Sequence, residues 1–195
     1  MNPIKLFITG IDTEIGKTVV SAYFTHKLNA DYWKPIQSGD LHHSDSMKVK
    51  ALVENAIIHP ERYALQIPAS PCESAAKEGV SIRLEDFVLP NTNNNLVVEG
   101  AGGLFVPINS NTYMIDLIVH LQLPVVLVTR NYLGCINHTM LSIEALRTRG
   151  VVIDYLVFNG EFNPYSVEAI KGFVDQTTQI ITLPDFDKIS KGMFD

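Results

Sequence analysis

Ile4-Lys-Leu-Phe-Ile-Thr-Gly10-Ile-Asp-Thr-Glu-Ile-Gly16-Lys17-Thr18 is the stretch whose reading decides the arrangement of the whole chain. Leu6, Phe7, Ile8 and Thr9 form a short apolar run of the buried-strand type, closed at once by Gly10. After Gly16-Lys17-Thr18, the run Val19-Val20-Ser21-Ala22-Tyr23-Phe24 continues as a helix packed on the sheet. A strand, a Gly-bounded loop and Gly-Lys-Thr opening a helix make a phosphate site. Backbone N–H groups of the loop and the helix N-terminus supply partial positive charge, and Lys17 adds a full one. Thr18 places a hydroxyl where a phosphate-bound Mg²⁺ takes an oxygen ligand. Five residues separate Gly10 from Gly16, one more than the usual pattern, so a strict motif search misses the loop.

The remainder of the chain sets the limits of this reading. Its 195 residues fit one domain, expected to span 1–195, and can bury a substantial core. A formal charge of −6 offers no basic field, which argues against nucleic-acid binding. No apolar run approaches the roughly 18 residues of a spanning helix, and the N-terminus lacks a signal-peptide pattern. Cys72 and Cys135 stand far apart without metal-ligand spacing, as suits a reducing compartment. A cytoplasmic protein with no membrane partner is expected.

In chain order, Asp31-Tyr32-Trp33-Lys34-Pro35-Ile36 reads as a second strand, leading into the polar turn Gln37-Ser38-Gly39-Asp40. Lys34 alone would be a solvated strand-end lysine; Lys17 projecting from the same sheet edge brings it into the site. Ser44-Asp45 opens a helix through Asn55, and taken alone Asp45 reads as a cap or first-turn acid. A strand-like run, 63–67, precedes a short helix, 72–78, and a connection to Asn95. Leu96-Val97-Val98-Glu99-Gly100-Ala101-Gly102-Gly103 is a buried strand ending in an acid and a Gly-rich turn, the position of a second, Mg²⁺-holding acid. Helical spacing marks 112–121, and 123–129 is a continuously apolar strand. A loop from Arg130, a helix to about Arg149, a strand at 151–158, a helix at 166–175 and a strand at 179–184 complete the pattern. Strands alternating with helices predict an α/β fold: a doubly wound parallel sheet flanked by helices in three layers, in the P-loop NTPase layout.

Four strand C-termini thus carry Lys17/Thr18, Lys34/Ser38, Glu99 and Asn137, at the edge where ligands bind in such sheets. Cations that stabilise a transferring group and acids that hold Mg²⁺ suit phosphoryl transfer to an oxygen acceptor.

At this point the sequence resembles the dethiobiotin synthetases. The resemblance rests on Gly10-Ile-Asp-Thr-Glu-Ile-Gly-Lys-Thr18, whose extra loop residue is that family's own variant, and on Lys34-Pro35-Ile36-Gln37-Ser38-Gly39. It rests also on Ser44-Asp45, Val98-Glu99-Gly100-Ala101-Gly102-Gly103 and Leu133-Gly134-Cys135-Ile136-Asn137-His138. It implies ATP-dependent closure of the ureido ring of dethiobiotin from 7,8-diaminononanoate and CO₂, through a carbamic–phosphoric anhydride, in biotin biosynthesis. It implies Lys17 and Lys34 as catalytic residues and Thr18, Asp45 and Glu99 as Mg²⁺ ligands. Asp12, Thr13, Glu14, Ile15, Gly16, Lys17, Thr18, Glu99, Gly100, Ala101, Gly102 and Asn159 would bind ATP, with Asn159 reading adenine. Thr13, Lys34, Ser38 and the turn Gly134, Cys135, Ile136, Asn137 would bind substrate, the turn coming from the partner of a homodimer. Ile11 departs from the family's frequent Thr, and Leu183-Pro184-Asp185-Phe186 only loosely matches its base-bordering Gly-x-Ile-Pro.

Two other classes compete. A partitioning-type regulatory ATPase would carry a signature Lys five residues before Lys17, where Asp12 stands. A small-molecule kinase would want an Arg-rich lid, and none is evident. Arg130 reads as a surface or interface residue, His42-His43 as solvated, His138 as structural, and Cys135 as a packed residue rather than a nucleophile.

Overall fold

A computed structural model describes residues 2–184 together with Gly192 and Phe194. Asp185 and Phe186, half of the tetrapeptide compared with the base-bordering motif, lie outside the described residues. The strands are β1 (Lys5–Gly10), β2 (Asp31–Trp33), β3 (Ile36–Ser38), β4 (Ile58–His59), β5 (Tyr63–Leu65), β6 (Leu96–Gly103), β7 (Val125–Arg130), β8 (Ile153–Asn159) and β9 (Gln179–Leu183). The helices are α1 (Lys17–Lys27), α2 (Asp45–Leu52), α3 (Pro71–Glu78), α4 (Met114–Leu121), α5 (Cys135–Thr148) and α6 (Pro164–Lys171). Seven strands form one parallel sheet in the order β4-β2-β6-β1-β7-β8-β9.

Alternation along the strands builds the three layers. Leu6, Ile8, Val97, Val126, Val128 and Val157 pack with Val20 and Phe24 of α1 and Val49 and Leu52 of α2. Phe7, Leu96, Val98, Val125, Leu127, Leu156 and Phe158 point the other way, against Met114, Leu117, Ile118, Ile143, Leu146 and Ile170 of α4, α5 and α6. Strands buried on both faces need unbroken apolar runs, and that is why periodicity-two polarity is missing from the sequence of β7. The expected doubly wound α/β architecture is the observed one.

β1 lies between β6 and β7, so Ile8 is level with Glu99 on one side and Val126 on the other. The chain leaves β1 towards β2 by way of α1, whereas β7 extends the sheet in the opposite direction. This reversal opens a crevice at the strand C-termini, directly above the phosphate loop.

The strand expected from Asp31 to Ile36 is divided. Asp31–Trp33 stays in the main sheet, while Ile36–Ser38 pairs with Tyr63–Leu65 in a separate two-stranded sheet. Pro35 supplies the break: it has no N–H for a ladder, and its carbonyl instead accepts from the backbone N–H groups of Arg62 and Tyr63 (3.0 and 3.1 Å). The helix expected through Asn55 ends at Leu52, with Val53 as its C-cap. The last helix covers Pro164–Lys171 rather than 166–175, because Asn163 caps it from the Tyr165 N–H and Pro164 occupies its first turn.

Candidate active site

The phosphate loop takes its shape from two contacts. Gly16 adopts φ 91°, a conformation that side chains with a Cβ rarely accept, and an added Cβ would lie 2.0 Å from Asn159 Nδ2. That amide donates to the Ile15 carbonyl at 2.8 Å, so the end of β8 braces the loop from across the sheet. Lys17 Nζ donates to the Asp12 carbonyl at 2.7 Å and closes the loop from within. Gly16 precedes α1 without side-chain capping, leaving the first-turn N–H groups to face the crevice.

Above this loop lies a cavity of about 770 Å³ whose wall includes Thr13, Gly16, Lys17, Thr18, Lys34, Ser38, Asp45, Glu99, Ala101, Gly102 and Asn159. Its floor is one charged network. Glu99, 1% exposed, receives the Thr18 hydroxyl and the Lys34 ammonium on Oε1 (3.0 Å each) and the Tyr32 hydroxyl on Oε2 (2.8 Å). Lys34 Nζ also donates to the Gly100 carbonyl at 3.0 Å and pairs with Asp45 Oδ2 at 2.8 Å. Asp45 is therefore not the cap of α2. Ser44 is, accepting from the Met47 N–H, and Asp45 occupies the first helical turn with its carboxylate turned to Lys34. Gln37 Oε1 accepts from the Asp45 N–H at 3.2 Å and ties this turn to β3.

Burial and charge act against each other here. Burial pulls the Lys17 pKa down to about 8, helped by repulsion from Lys34 and opposed by Glu99, Asp45 and Asp12. Lys34 is buried too, but Glu99 and Asp45 outweigh desolvation and hold its pKa above the ordinary lysine value. Burial pushes the Asp45 carboxyl up, yet the Lys34 and Lys48 charges overcome it and bring the group down to about 2. Burial, then the Glu99 and Asp45 charges, raise the Tyr32 hydroxyl well above its normal pKa, so it remains a donor to Glu99. The site thus holds fixed cations around a cavity sized for a small ligand, the arrangement that stabilises charge on a transferring phosphoryl group.

Thr18, Asp45 and Glu99 share this floor, and the donor set consists of a hydroxyl and two carboxylates. Among the described residues no group of three or more His, Cys, Asp or Glu side chains comes together. An ion held here would complete its shell from phosphate and water, the pattern of Mg²⁺ with a nucleotide. The Ser38 hydroxyl oxygen is buried without a hydrogen-bond partner, and Ser38 lines the cavity.

The turn at Gly134, Cys135, Ile136 and Asn137 is not in this cavity. It lines a second concavity of about 810 Å³ with Tyr132, Leu133, Met140 and Ser166. Leu133 is fully exposed there, Cys135 is buried, and His138 Nδ1 meets the Tyr132 hydroxyl at 2.7 Å. Arg130, expected as a surface or interface residue, is half-buried at the wall of the main cavity, where Nη1 donates to the Glu14 carbonyl at 3.4 Å. Its place at the end of β7, level with Asn159, accounts for this. Sequence reasoning passed over Tyr32 and Lys48. Tyr32 lies inside an apolar strand and looks like core, whereas Lys48 lies one helical turn from Asp45, a spacing that could have flagged it.

Known proteins bear on this geometry. The sequence model of an AAA domain family matches residues 5–191. The ATP-dependent dethiobiotin synthetase BioD of Christiangramia forsetii is 48% identical over 191 residues, covering 96% of this chain and 92% of that protein. The protein of the same name from Paramagnetospirillum magneticum is 48% identical over 168 residues, covering 86% and 82%. Among solved structures, a ParA family ATPase from Chlorobium tepidum TLS superposes with a TM-score of 0.55 at 12% identity, covering 94% of this chain and 84% of that one. At that identity the likeness concerns the fold alone. No helix among the described residues is long and apolar enough to cross a membrane.

Proposed function

The chain belongs to the family of ATP-dependent dethiobiotin synthetases, and from this membership we propose that it closes the ureido ring of dethiobiotin from 7,8-diaminononanoate, CO₂ and ATP. The observation that carries the reading is Lys34: a buried ammonium fixed between Glu99 and Asp45 in the cavity above the phosphate loop.

The reaction asks for three things. One substrate amine adds to CO₂ and loses a proton, giving a carbamate. A carbamate oxygen then attacks the γ-phosphorus of ATP, and ADP leaves. The second amine attacks the carbonyl of the resulting mixed anhydride, phosphate leaves, and the ring closes. Lys17 and Lys34 lie where negative charge gathers in the second step, and their positions are fixed before substrate arrives. The uncapped first turn of α1 and the loop Asp12–Gly16 cradle the phosphates. Thr13, Ser38 and the Gly100–Gly102 backbone orient carbamate and diamine. Asn159 uses its Nδ2 on Ile15, which leaves Oδ1 to accept from an adenine amino group. Thr18, Asp45 and Glu99 would hold Mg²⁺, which when bound would supply charge neutralisation for the phosphates.

Gly134–Asn137 lines a concavity other than the phosphate-loop cavity of its own chain, beside the exposed Leu133. A cytoplasmic homodimer, in which this turn of one copy meets the diamine bound to the other, accommodates that placement. The regulatory-ATPase alternative is not favoured, since the position of its signature lysine is Asp12, whose carbonyl accepts from Lys17.

The test is ADP release with ATP, Mg²⁺ and bicarbonate, with and without the diamine. Release that requires the diamine is expected, and hydrolysis indifferent to it would reject the ligase reading.

A further inference from the structure

Lys48 is a third lysine in the wall of the main cavity, on α2 one turn after Asp45. Both oxygens of the Asp45 carboxylate are taken by ammonium groups: Oδ2 by Lys34 at 2.8 Å and Oδ1 by Lys48 at 3.3 Å. A divalent cation ligated by Asp45 would sit against both ammonium charges, and that repulsion favours the departure of one of them. The two lysines are not equally easy to move. Lys34 is 4% exposed and also bound to Glu99 and the Gly100 carbonyl, so pulling it away would strand a buried carboxylate. Lys48 is 29% exposed, its one acceptor among the described contacts is Asp45, and a partly exposed pair three residues apart on a helix shifts an equilibrium only about twofold.

We propose that Lys48 is the exchangeable cation of the site. It neutralises Asp45 while the cavity is without nucleotide, yields that carboxylate to the divalent ion, and turns to the terminal phosphate that enters with it. The proposal rests on the metal-binding reading of Asp45. It makes Lys48 a residue that opposes metal binding in one state and favours the triphosphate in the other, two effects of opposite sign that a structural role would not produce.

The experiment uses Mn²⁺ as a spin-visible substitute for Mg²⁺, titrated into nucleotide-free wild type, Lys48→Met, Lys48→Arg and Asp45→Asn, with calorimetric binding of ATP and ADP alongside. Lys48→Met should bind Mn²⁺ about twofold or more tightly, because a competing charge is gone. The same variant should lose about tenfold in ATP affinity relative to ADP, the scale of a lost charge-assisted hydrogen bond. Lys48→Arg should behave as wild type in the metal titration. Unchanged or weaker Mn²⁺ binding in Lys48→Met, while Asp45→Asn does weaken it, overturns the proposal alone. Equal losses for ATP and ADP overturn the terminal-phosphate half. If Asp45→Asn leaves Mn²⁺ binding intact, the metal reading of Asp45 fails and the proposal falls with it.

Discussion

Replacing Lys34 by Met keeps the length of the side chain and removes its charge from between two carboxylates. Lys34 is 4% and Glu99 1% exposed, so solvent cannot substitute for the lost partner. Glu99 keeps the Thr18 and Tyr32 hydroxyls, and Asp45 keeps Lys48, but the Gly100 carbonyl loses its 3.0 Å donor. Breaking a buried pair from one side costs about 3–5 kcal/mol. For a chain of this length each kcal/mol moves the melting temperature by about 2–4 °C, so a drop of about 10 °C is expected. Typical domains have about 5–15 kcal/mol to lose, so over most of that range the variant stays folded at room temperature. Urea unfolding at pH 7 measures the loss, and excess Mg²⁺ should narrow the gap by placing another cation against the same carboxylates. ADP release in the presence of the diamine should fall below detection in the folded variant. Wild-type stability in Lys34→Met would refute the account of Lys34 as the ion that balances Glu99 and Asp45. Surviving diamine-dependent turnover would refute its catalytic role.

Tyr32→Phe deletes one oxygen and leaves Glu99 Oε2 buried without its 2.8 Å donor, a loss of about 1–3 kcal/mol to be read by urea unfolding. Gly16→Ala forces a Cβ onto a φ of 91° and against Asn159 Nδ2; ATP affinity should fall about tenfold or more in a direct titration. The Asp45 carboxyl is depressed from 3.8 to about 2, so its contribution to stability is complete above about pH 4 and is lost as the pH falls through 2. Asp45→Asn should flatten the acid limb of a stability–pH curve over that window, and an unchanged limb would contradict the ion pair with Lys34.

Sequence alone determined the parts of this protein that are local. The loop from Gly10 to Thr18 is legible locally, because a strand, a left-handed glycine and a helix start are set by neighbouring residues, although Asn159 braces it from β8. The apolar runs at 96–98 and 125–128 likewise announce strands buried on both faces, and their alternation with helices leaves one favoured handedness and layering. Which side chains meet in the crevice was a matter for the tertiary structure. Tyr32 reaches Glu99 across 67 positions and Lys34 reaches it across 65, distances over which no periodicity carries information. The division of the second strand at Pro35 follows from pairing with Tyr63–Leu65, a partner the local sequence does not name. Arg130 looked peripheral until β7 was set beside β8, level with Asn159. The segment Gly134–Asn137 opens α5 and lines a concavity separate from the one above the phosphate loop, a division that local sequence does not announce. Elements form from local preferences, whereas charges buried together are chosen by the one packing that lets each find its counter-ion.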